Sequence, residues 1–213
     1  MTKSKHILAV GVAAVAVLAL GATAYAQTTS TADTELLQEI RAGSLFTEIV
    51  DASGNAVTSP SIAMSVTDVD VNQQTTTGTY GSAGQRVYIS NPGVTASGWT
   101  LDLAATDGAT SLWEDDVKNF DYNSTSGAGQ LTINPLAGTI TPVGPAPLTG
   151  ITLSSSASFD QGVLDVINLA TASSSAASVW EGHITGMGVS QTIPGGQEAG
   201  MYRINLTQTL TAN

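Results

Sequence analysis

Apolar and polar residues alternate along most of the chain after residue 42, with the period of two that predicts half-buried β-strands. Turn-forming residues recur about every ten positions between the alternating segments, a spacing that is typical of β-sandwiches. Strands are predicted at 42–50, 62–71, 87–89, 97–103, 120–122, 131–133, 151–159, 163–169, 179–184, 189–193 and 201–210. The predicted fold class is therefore all-β, an immunoglobulin-like Greek-key β-sandwich of roughly nine to twelve strands.

The clearest alternation lies at 97–103, where Trp99 and Leu101 fall on one face of the predicted strand. A weaker version of the same pattern ends the chain, where Gln208 and Leu210 share a face. Gln208 therefore stands where an aromatic side chain would be expected. Because a buried amide needs hydrogen-bond partners, we expect Gln208 either to find one or to lie at the rim of the sandwich.

Two stretches depart from the simple alternation. In the predicted strand 62–71, the apolar residues change parity between Val66 and Val69, so a bulge or bend is expected near 67–68. The stretch 135–147 is rich in Pro and Gly and is predicted to be a long surface connection.

Residues 1–26 have the pattern of a cleavable signal peptide: two lysines, an uncharged apolar run, and the small-residue sequence Ala-Tyr-Ala before Gln27. The polar stretch 27–34 is predicted to be a flexible leader, and residues 35–213 are predicted to form one domain. These features predict a secreted, cell-surface protein that keeps no transmembrane anchor after cleavage.

The charge balance limits the partners that the protein can bind. The chain has 17 acidic and 6 basic residues, a formal net charge of −11, and no cysteine. Nucleic acid is excluded as a partner because its phosphates require basic patches. An exported protein without disulfides must be held together by β-packing, by an ion or by neighbouring copies of itself.

Catalytic patterns are scarce in the sequence. The predicted mature chain has a single histidine, His183, and the nucleophile-elbow motif Gly-x-Ser-x-Gly is absent. No histidine or cysteine spacing suited to zinc occurs either. We therefore predict that the protein is not an enzyme.

Five oxygen-bearing side chains fall within ten positions: Glu114, Asp115, Asp116, Asp121 and Asn123. Hard oxygen ligands at this density suit Ca²⁺, which accepts six to eight of them. A structural calcium ion is thus the one cofactor that the sequence suggests. The alternative interpretation is a solvated acidic loop.

Aromatic side chains could stack on sugar rings at the surface. Trp99 has the parity of a core residue, whereas Trp113 precedes the acidic cluster and is expected to be the exposed aromatic residue.

The order of several short motifs resembles that of WxL-domain bacterial surface proteins. These motifs are Ser90-Asn91-Pro92, Gly98-Trp99-Thr100-Leu101-Asp102-Leu103-Ala104-Ala105-Thr106, Ile133-Asn134-Pro135 with Ile140-Thr141-Pro142, Ser190-Gln191-Thr192-Ile193-Pro194, Ala199-Gly200-Met201-Tyr202 and the strand that follows to Leu210. The resemblance implies an immunoglobulin-like β-sandwich that attaches non-covalently to the cell wall, through peptidoglycan or another wall polysaccharide. The implied binding residues are Trp99 and Leu101 of the first Trp-x-Leu motif, and Gln208 and Leu210 of the second, in which glutamine replaces tryptophan.

A shorter likeness involves the segment 40–45, Ile-Arg-Ala-Gly-Ser-Leu, which follows a polar leader. This arrangement is similar to the start of camelysin-like biofilm-fibre subunits. That likeness implies self-association by lending an N-terminal strand to the next subunit, a form of β-augmentation. The alternative function is therefore a structural subunit that assembles into a surface fibre or layer, with its own copies or other surface proteins as partners.

Overall fold

The computed structural model describes residues 38–40, 43–93 and 98–213. The chain divides into two units, 1–40 and 41–213. In the first unit, the described residues 38–40 are exposed and belong to no regular element. The predicted signal peptide and the leader 27–34 lie outside the described residues.

Fourteen β-strands and one short 3-10 helix make up the regular structure of the described residues, which contain no α-helix. The strands are β1 (Phe46–Val50), β2 (Gln74–Tyr80), β3 (Arg86–Pro92), β4 (Trp99–Ala105), β5 (Leu112–Asp115), β6 (Lys118–Asp121), β7 (Gln130–Asn134), β8 (Thr139–Pro142), β9 (Ile151–Leu153), β10 (Ala157–Ser158), β11 (Val166–Ala172), β12 (Val179–Thr185), β13 (Met187–Ile193) and β14 (Leu206–Ala212). The 3-10 helix spans Pro135–Ala137. Across the described ranges, no helix is long and apolar enough to cross a membrane.

The strands form three four-stranded antiparallel sheets and one hairpin. Sheet I has the order β1-β3-β12-β8, sheet II has β10-β7-β13-β2, and sheet III has β14-β4-β11-β9, while β5 and β6 form the hairpin. The chain passes directly from sheet I to sheet II at Gly186, whose φ of 81° allows the sharp change of direction between β12 and β13. This architecture confirms the predicted all-β sandwich class.

One hydrophobic core receives side chains from all three sheets. Along β4, buried and half-buried residues alternate strictly, as the sequence pattern predicts. Trp99 of this strand packs on Trp180 of β12 with 5.8 Å between ring centroids, and each is 1% exposed. Tyr122 and Phe159 form a second buried aromatic pair at 5.1 Å. The Trp99–Trp180 pair joins sheets III and I, which share no hydrogen-bond ladder.

The predicted strand at 62–71 is wrong. Met64 packs against the core, and the backbone N–H of Ser65 donates to the carbonyl of Thr77 at 2.7 Å. Beyond this bond the chain leaves the edge of β2, so that Val66 is 97% and Val71 87% exposed. The change of parity therefore marks the point where the segment departs from the sheet, and no bulge is formed within a strand.

The prediction of a surface connection at 135–147 is also wrong in part. β8 lies within this stretch as the edge strand of sheet I, and its Ile140 packs against the core. Pro142 is tolerated at the end of β8 because an edge strand has one row of N–H groups outside the ladder.

Candidate functional site

The structure brings together the four residues of the two Trp-x-Leu-type motifs, because β4 and β14 are neighbours in sheet III. Leu210 lies directly opposite Leu101, and Gln208 lies opposite Leu103. Trp99 and Leu101 are 1% and 0% exposed, so their side chains hold the core and present no surface to a ligand.

The amide of Gln208 has partners on two other sheets. Its Oε1 accepts a hydrogen bond from the phenol of Tyr80 on β2, and its Nε2 donates to Oγ1 of Thr47 on β1 at 2.8 Å. The Thr47 hydroxyl in turn donates to the carbonyl of Tyr88 at 2.8 Å. Burial raises the pKa of Tyr80 well above its usual range, so this phenol remains a proton donor. The expected hydrogen-bond partner of Gln208 is therefore present.

Next to this bridge, a groove of about 560 Å³ opens between β1, the segment 60–64 and the segment 202–208. Its apolar lining comes from Ile49, Met64, Tyr80, Leu131, Val189 and Leu206. In the described part of the chain, β14 pairs only with β4, whereas β1 pairs with β3 and, at its end, makes an isolated bridge from Val50 to Ala56. β14 therefore keeps one free edge, and β1 keeps a free edge before Ile49, whose carbonyl accepts from the N–H of Val57 at 2.9 Å.

The free edge of β14 can be assigned residue by residue. The carbonyl of Asn205 and the N–H of Asn213 both bond toward β4, at 2.9 and 3.1 Å. Because bonding directions alternate along an antiparallel strand, the backbone groups of Leu206, Gln208 and Leu210 point away from β4.

The acidic residues lie around the β5–β6 hairpin. Asp115 ends β5, Asp116 occupies the turn with φ 45°, and Asp121 ends β6. Glu114 pairs through its backbone with Arg203, at 2.8 and 2.9 Å.

Asn123, the fifth member of the cluster, is 2% exposed and donates its side-chain amide to the carbonyl of Ala109 at 2.8 Å. Within the described ranges, no group of three or more Asp, Glu, His or Cys side chains is placed to hold a metal ion. Calcium binding stays a prediction.

Trp113 is not the exposed aromatic residue that the sequence suggests. It is half-buried, its Nε1 donates to Oε1 of Gln191 at 2.8 Å, and its ring stacks on Phe120 with centroids 6.0 Å apart. The side chain therefore anchors the β5–β6 hairpin to sheet II.

An open row of rings lies instead on the outer face of sheet I. Phe46, Tyr88 and His183 come from the adjacent strands β1, β3 and β12, with centroid distances of 5.4 Å and 5.3 Å between neighbours. Phe46 is 41% exposed, and the other two rings are half-buried. We call these three residues the aromatic row.

Charged and polar groups border the aromatic row. A shallow groove of about 500 Å³ includes the row together with Glu48, Glu181 and Arg86. The Arg86 guanidinium donates to the carbonyl of Asp51 at 2.6 Å and 3.2 Å, which fixes it beside the rings.

The surroundings of the aromatic row shift the pKa values of Tyr88 and His183. Burial raises the pKa of Tyr88, which keeps its phenol protonated. Burial and the nearby Arg86 charge lower the pKa of His183. Its Nδ1 is buried without a hydrogen-bond partner, an environment that suits the neutral ring.

The sequence does not reveal the aromatic row because its members are separated by about 40 and 95 positions. The available signal was the outward parity of Tyr88 between the buried residues Val87 and Ile89. That parity places one ring on the outer face but does not reveal which strands lie beside it.

The chain was compared with protein-family models, curated proteins and solved structures. None of them matches. The WxL-like and camelysin-like resemblances therefore stay predictions, and the groove and the aromatic row are the two surfaces that indicate a function.

The two surfaces differ in chemistry. The aromatic row joins ring faces with carboxylates and a fixed guanidinium, so it can bind a ligand that has both apolar faces and hydroxyl groups. The groove joins an apolar lining with free backbone edges, so it can accept an extended peptide segment.

Proposed function

We propose that the chain is a non-enzymatic, secreted protein of the bacterial cell surface that associates non-covalently with wall polysaccharide, with peptidoglycan as the leading ligand. The observation that carries this proposal is the aromatic row on the outer face of sheet I. Sugar rings present apolar C–H faces that stack on aromatic side chains, and ligand sites combine such contacts with a few well-placed polar groups. Phe46 and Tyr88 supply the ring faces.

The charges around the row favour a ligand rich in hydroxyl groups. Glu48 and Glu181 can accept hydrogen bonds from sugar hydroxyls, whereas Arg86 can donate to them. The net charge of −11 disfavours polyanionic wall polymers such as teichoic acid. The buried motif residues Trp99 and Leu101 support the scaffold behind this face.

Replacing Phe46 by alanine is expected to weaken retention on purified peptidoglycan by about two- to twelvefold, since one stacked ring contributes about 0.5–1.5 kcal/mol. The unfolding temperature should change little because Phe46 is partly exposed. Sedimentation with peptidoglycan, followed by quantification of bound protein, measures the effect.

Leu136→Ala is the matched control, because it removes an exposed apolar side chain on the 3-10 helix, which contributes no residue to the shallow groove. Wild-type retention of a folded Phe46→Ala, Tyr88→Ala double variant would contradict the assignment of this face.

The groove beside Gln208 supports a second candidate function, self-assembly by N-terminal strand exchange. A segment of a neighbouring copy within 27–42 could pair with a free edge and place Leu36 and Ile40 on the apolar lining, since alternate residues of a strand share a face. Assembly would then give a fibre or layer, because a head-to-tail contact repeats from copy to copy.

Deleting residues 27–42 from the mature protein is expected to abolish fibre formation, because it removes the donated segment, while the body 43–213 still folds. Electron microscopy and light scattering at equal protein concentration provide the measurement. Met64→Glu, inside the groove, should also block assembly, whereas Val66→Glu is its matched control because Val66 is 97% exposed. Fibres of unchanged length from the deletion variant would exclude strand exchange.

A further inference from the structure

Three side chains at the end of the groove form an acyl-transfer arrangement. The Thr47 hydroxyl oxygen lies 2.8 Å from Nε2 of Gln208, the nitrogen bonded directly to the amide carbon. The Tyr80 phenol donates to Oε1 of the same amide. A hydroxyl oxygen therefore contacts the amide at its nitrogen, one bond from the carbonyl carbon, and a phenol donates to the carbonyl oxygen.

We propose that Thr47 and Gln208 become joined by an intramolecular ester bond between the side chains of β1 and β14. Oγ1 of Thr47 attacks the side-chain carbonyl carbon of Gln208 and gives a tetrahedral intermediate. The C–N bond then breaks, the hydroxyl proton passes to the departing nitrogen through water in the open groove, and one ammonia leaves. No oxidant, reductant or further reactant is required.

The positions of the surrounding groups fit this step. Thr47 donates its hydroxyl hydrogen to the carbonyl of Tyr88 and accepts the Nε2 hydrogen of Gln208, so one lone pair of Oγ1 stays available for attack on the adjacent amide carbon. Because the fold already holds the hydroxyl and the amide in contact, the reaction needs no bimolecular encounter. The entropy cost of such an encounter is a large part of the barrier to a bimolecular reaction.

Tyr80 is the positioning and stabilising group for the carbonyl oxygen. Negative charge develops on Oε1 as the intermediate forms, and a fixed donor at that oxygen stabilises it. Tyr80 is 9% exposed, and burial keeps its phenol protonated.

The crosslink would join residues 161 positions apart in a chain that has no cysteine. It would also connect the first and last strands of the body, each of which forms a ladder with one other strand among the described residues. Like a disulfide that closes a long loop, the crosslink would lower the conformational entropy of the unfolded chain and so stabilise the folded state. The inference does not depend on the proposed function, because neither glycan binding nor fibre formation is needed for the bond to form.

Intact-mass spectrometry of the secreted full-length protein tests the proposal directly. The crosslinked protein should weigh about 17 Da less than its sequence, the mass of one ammonia, and peptide mapping should recover a linked pair containing residues 47 and 208. Mild alkaline hydrolysis should separate that pair and leave glutamate at position 208.

Two variants test whether the crosslink requires the Thr47 hydroxyl and the Tyr80 phenol. Thr47→Ala should abolish the linked pair, and Tyr80→Phe should slow its formation at least tenfold in a time course after purification. Thr171→Ala is the matched control, because it removes a β11 hydroxyl that lies 3.1 Å from the Thr152 hydroxyl and away from the groove. Its crosslink should form as in the wild type.

Cyclisation of an N-terminal Gln27 after signal cleavage also releases one ammonia, so mass alone is not sufficient. A mass deficit that persists in Thr47→Ala, with no linked pair in the wild type, would overturn the proposal. An uncrosslinked mass, or a gain of about one dalton from simple hydrolysis of Gln208, would overturn it as well.

Discussion

Trp99→Ala is expected to lower the free energy of unfolding by about 3–5 kcal/mol, the cost typical of truncating a fully buried tryptophan. The indole is 1% exposed and packs on Trp180, so its removal leaves a cavity between sheets III and I. Neighbouring backbone cannot close this space without breaking the ladders on both sides of β4. Urea unfolding followed by fluorescence or circular dichroism provides the measurement.

Two further variants show how much of this loss comes from the buried ring: Trp99→Phe keeps a ring, and Val66→Ala truncates an exposed side chain. Trp99→Phe should cost less than half as much, because it keeps a ring and removes an indole N–H that has no hydrogen-bond partner. Val66→Ala should change stability by less than about 0.5 kcal/mol because the valine is 97% exposed. A loss below about 1 kcal/mol for Trp99→Ala would contradict the description of Trp99 as a core residue.

Gly129→Ala is expected to cost at least about 3 kcal/mol, or to prevent folding, because backbone strain and a steric clash act together. Gly129 precedes β7 with φ at 120°, a region that residues with a Cβ rarely adopt. A Cβ placed there would lie 2.1 Å from the carbonyl oxygen of Asp121. Relief of that contact would require β6 and β7 to move apart. Thermal unfolding and expression yield measure the effect.

Two other glycines separate the cost of the backbone conformation from the cost of the steric clash. Gly196→Ala meets nothing within 4 Å but keeps a φ of 76°, so it should cost about 1–2 kcal/mol from the left-handed conformation alone. Gly127→Ala meets neither constraint and should be neutral or slightly stabilising. Equal losses for Gly129→Ala and Gly196→Ala would show that the Asp121 contact contributes nothing.

The local pattern of the sequence was sufficient to predict the class of the fold and the inward faces of its clearest strands. Trp99 and Leu101 are buried as their alternation predicts, and Gln208 has the partners that its inward parity requires. These successes share a cause, since the side-chain period of a strand is a property of the strand itself.

The features that were not predicted depend on contacts between distant segments. Nothing in the local pattern indicates that Leu101 lies opposite Leu210, because register is set by the packing of whole sheets. β8 was missed because the Pro and Gly content of the stretch 135–147 is typical of connections, although an edge strand tolerates a proline such as Pro142. Val66 was expected in a strand because alternation alone does not show where a segment leaves its neighbour.

In the candidate sites, too, the local pattern was not enough where the outcome depends on contacts between distant segments. The sequence drew attention to Trp113 because of its acidic neighbours, yet the structure uses that indole to hold a hairpin in place. The aromatic row needed the pairing of β1, β3 and β12 before Phe46, Tyr88 and His183 could be recognised as neighbours.

The location of β1 and β14 has a mechanical consequence. If the body is anchored at one end and pulled at the other, the tension reaches the two terminal strands before any other part of the sandwich. β1 is held by five paired residues and β14 by seven, so β1 has the shorter ladder to resist the load. The proposed ester between Thr47 and Gln208 would join these two strands directly. The load would then pass through this covalent bond, so that neither ladder nor the core would be extended.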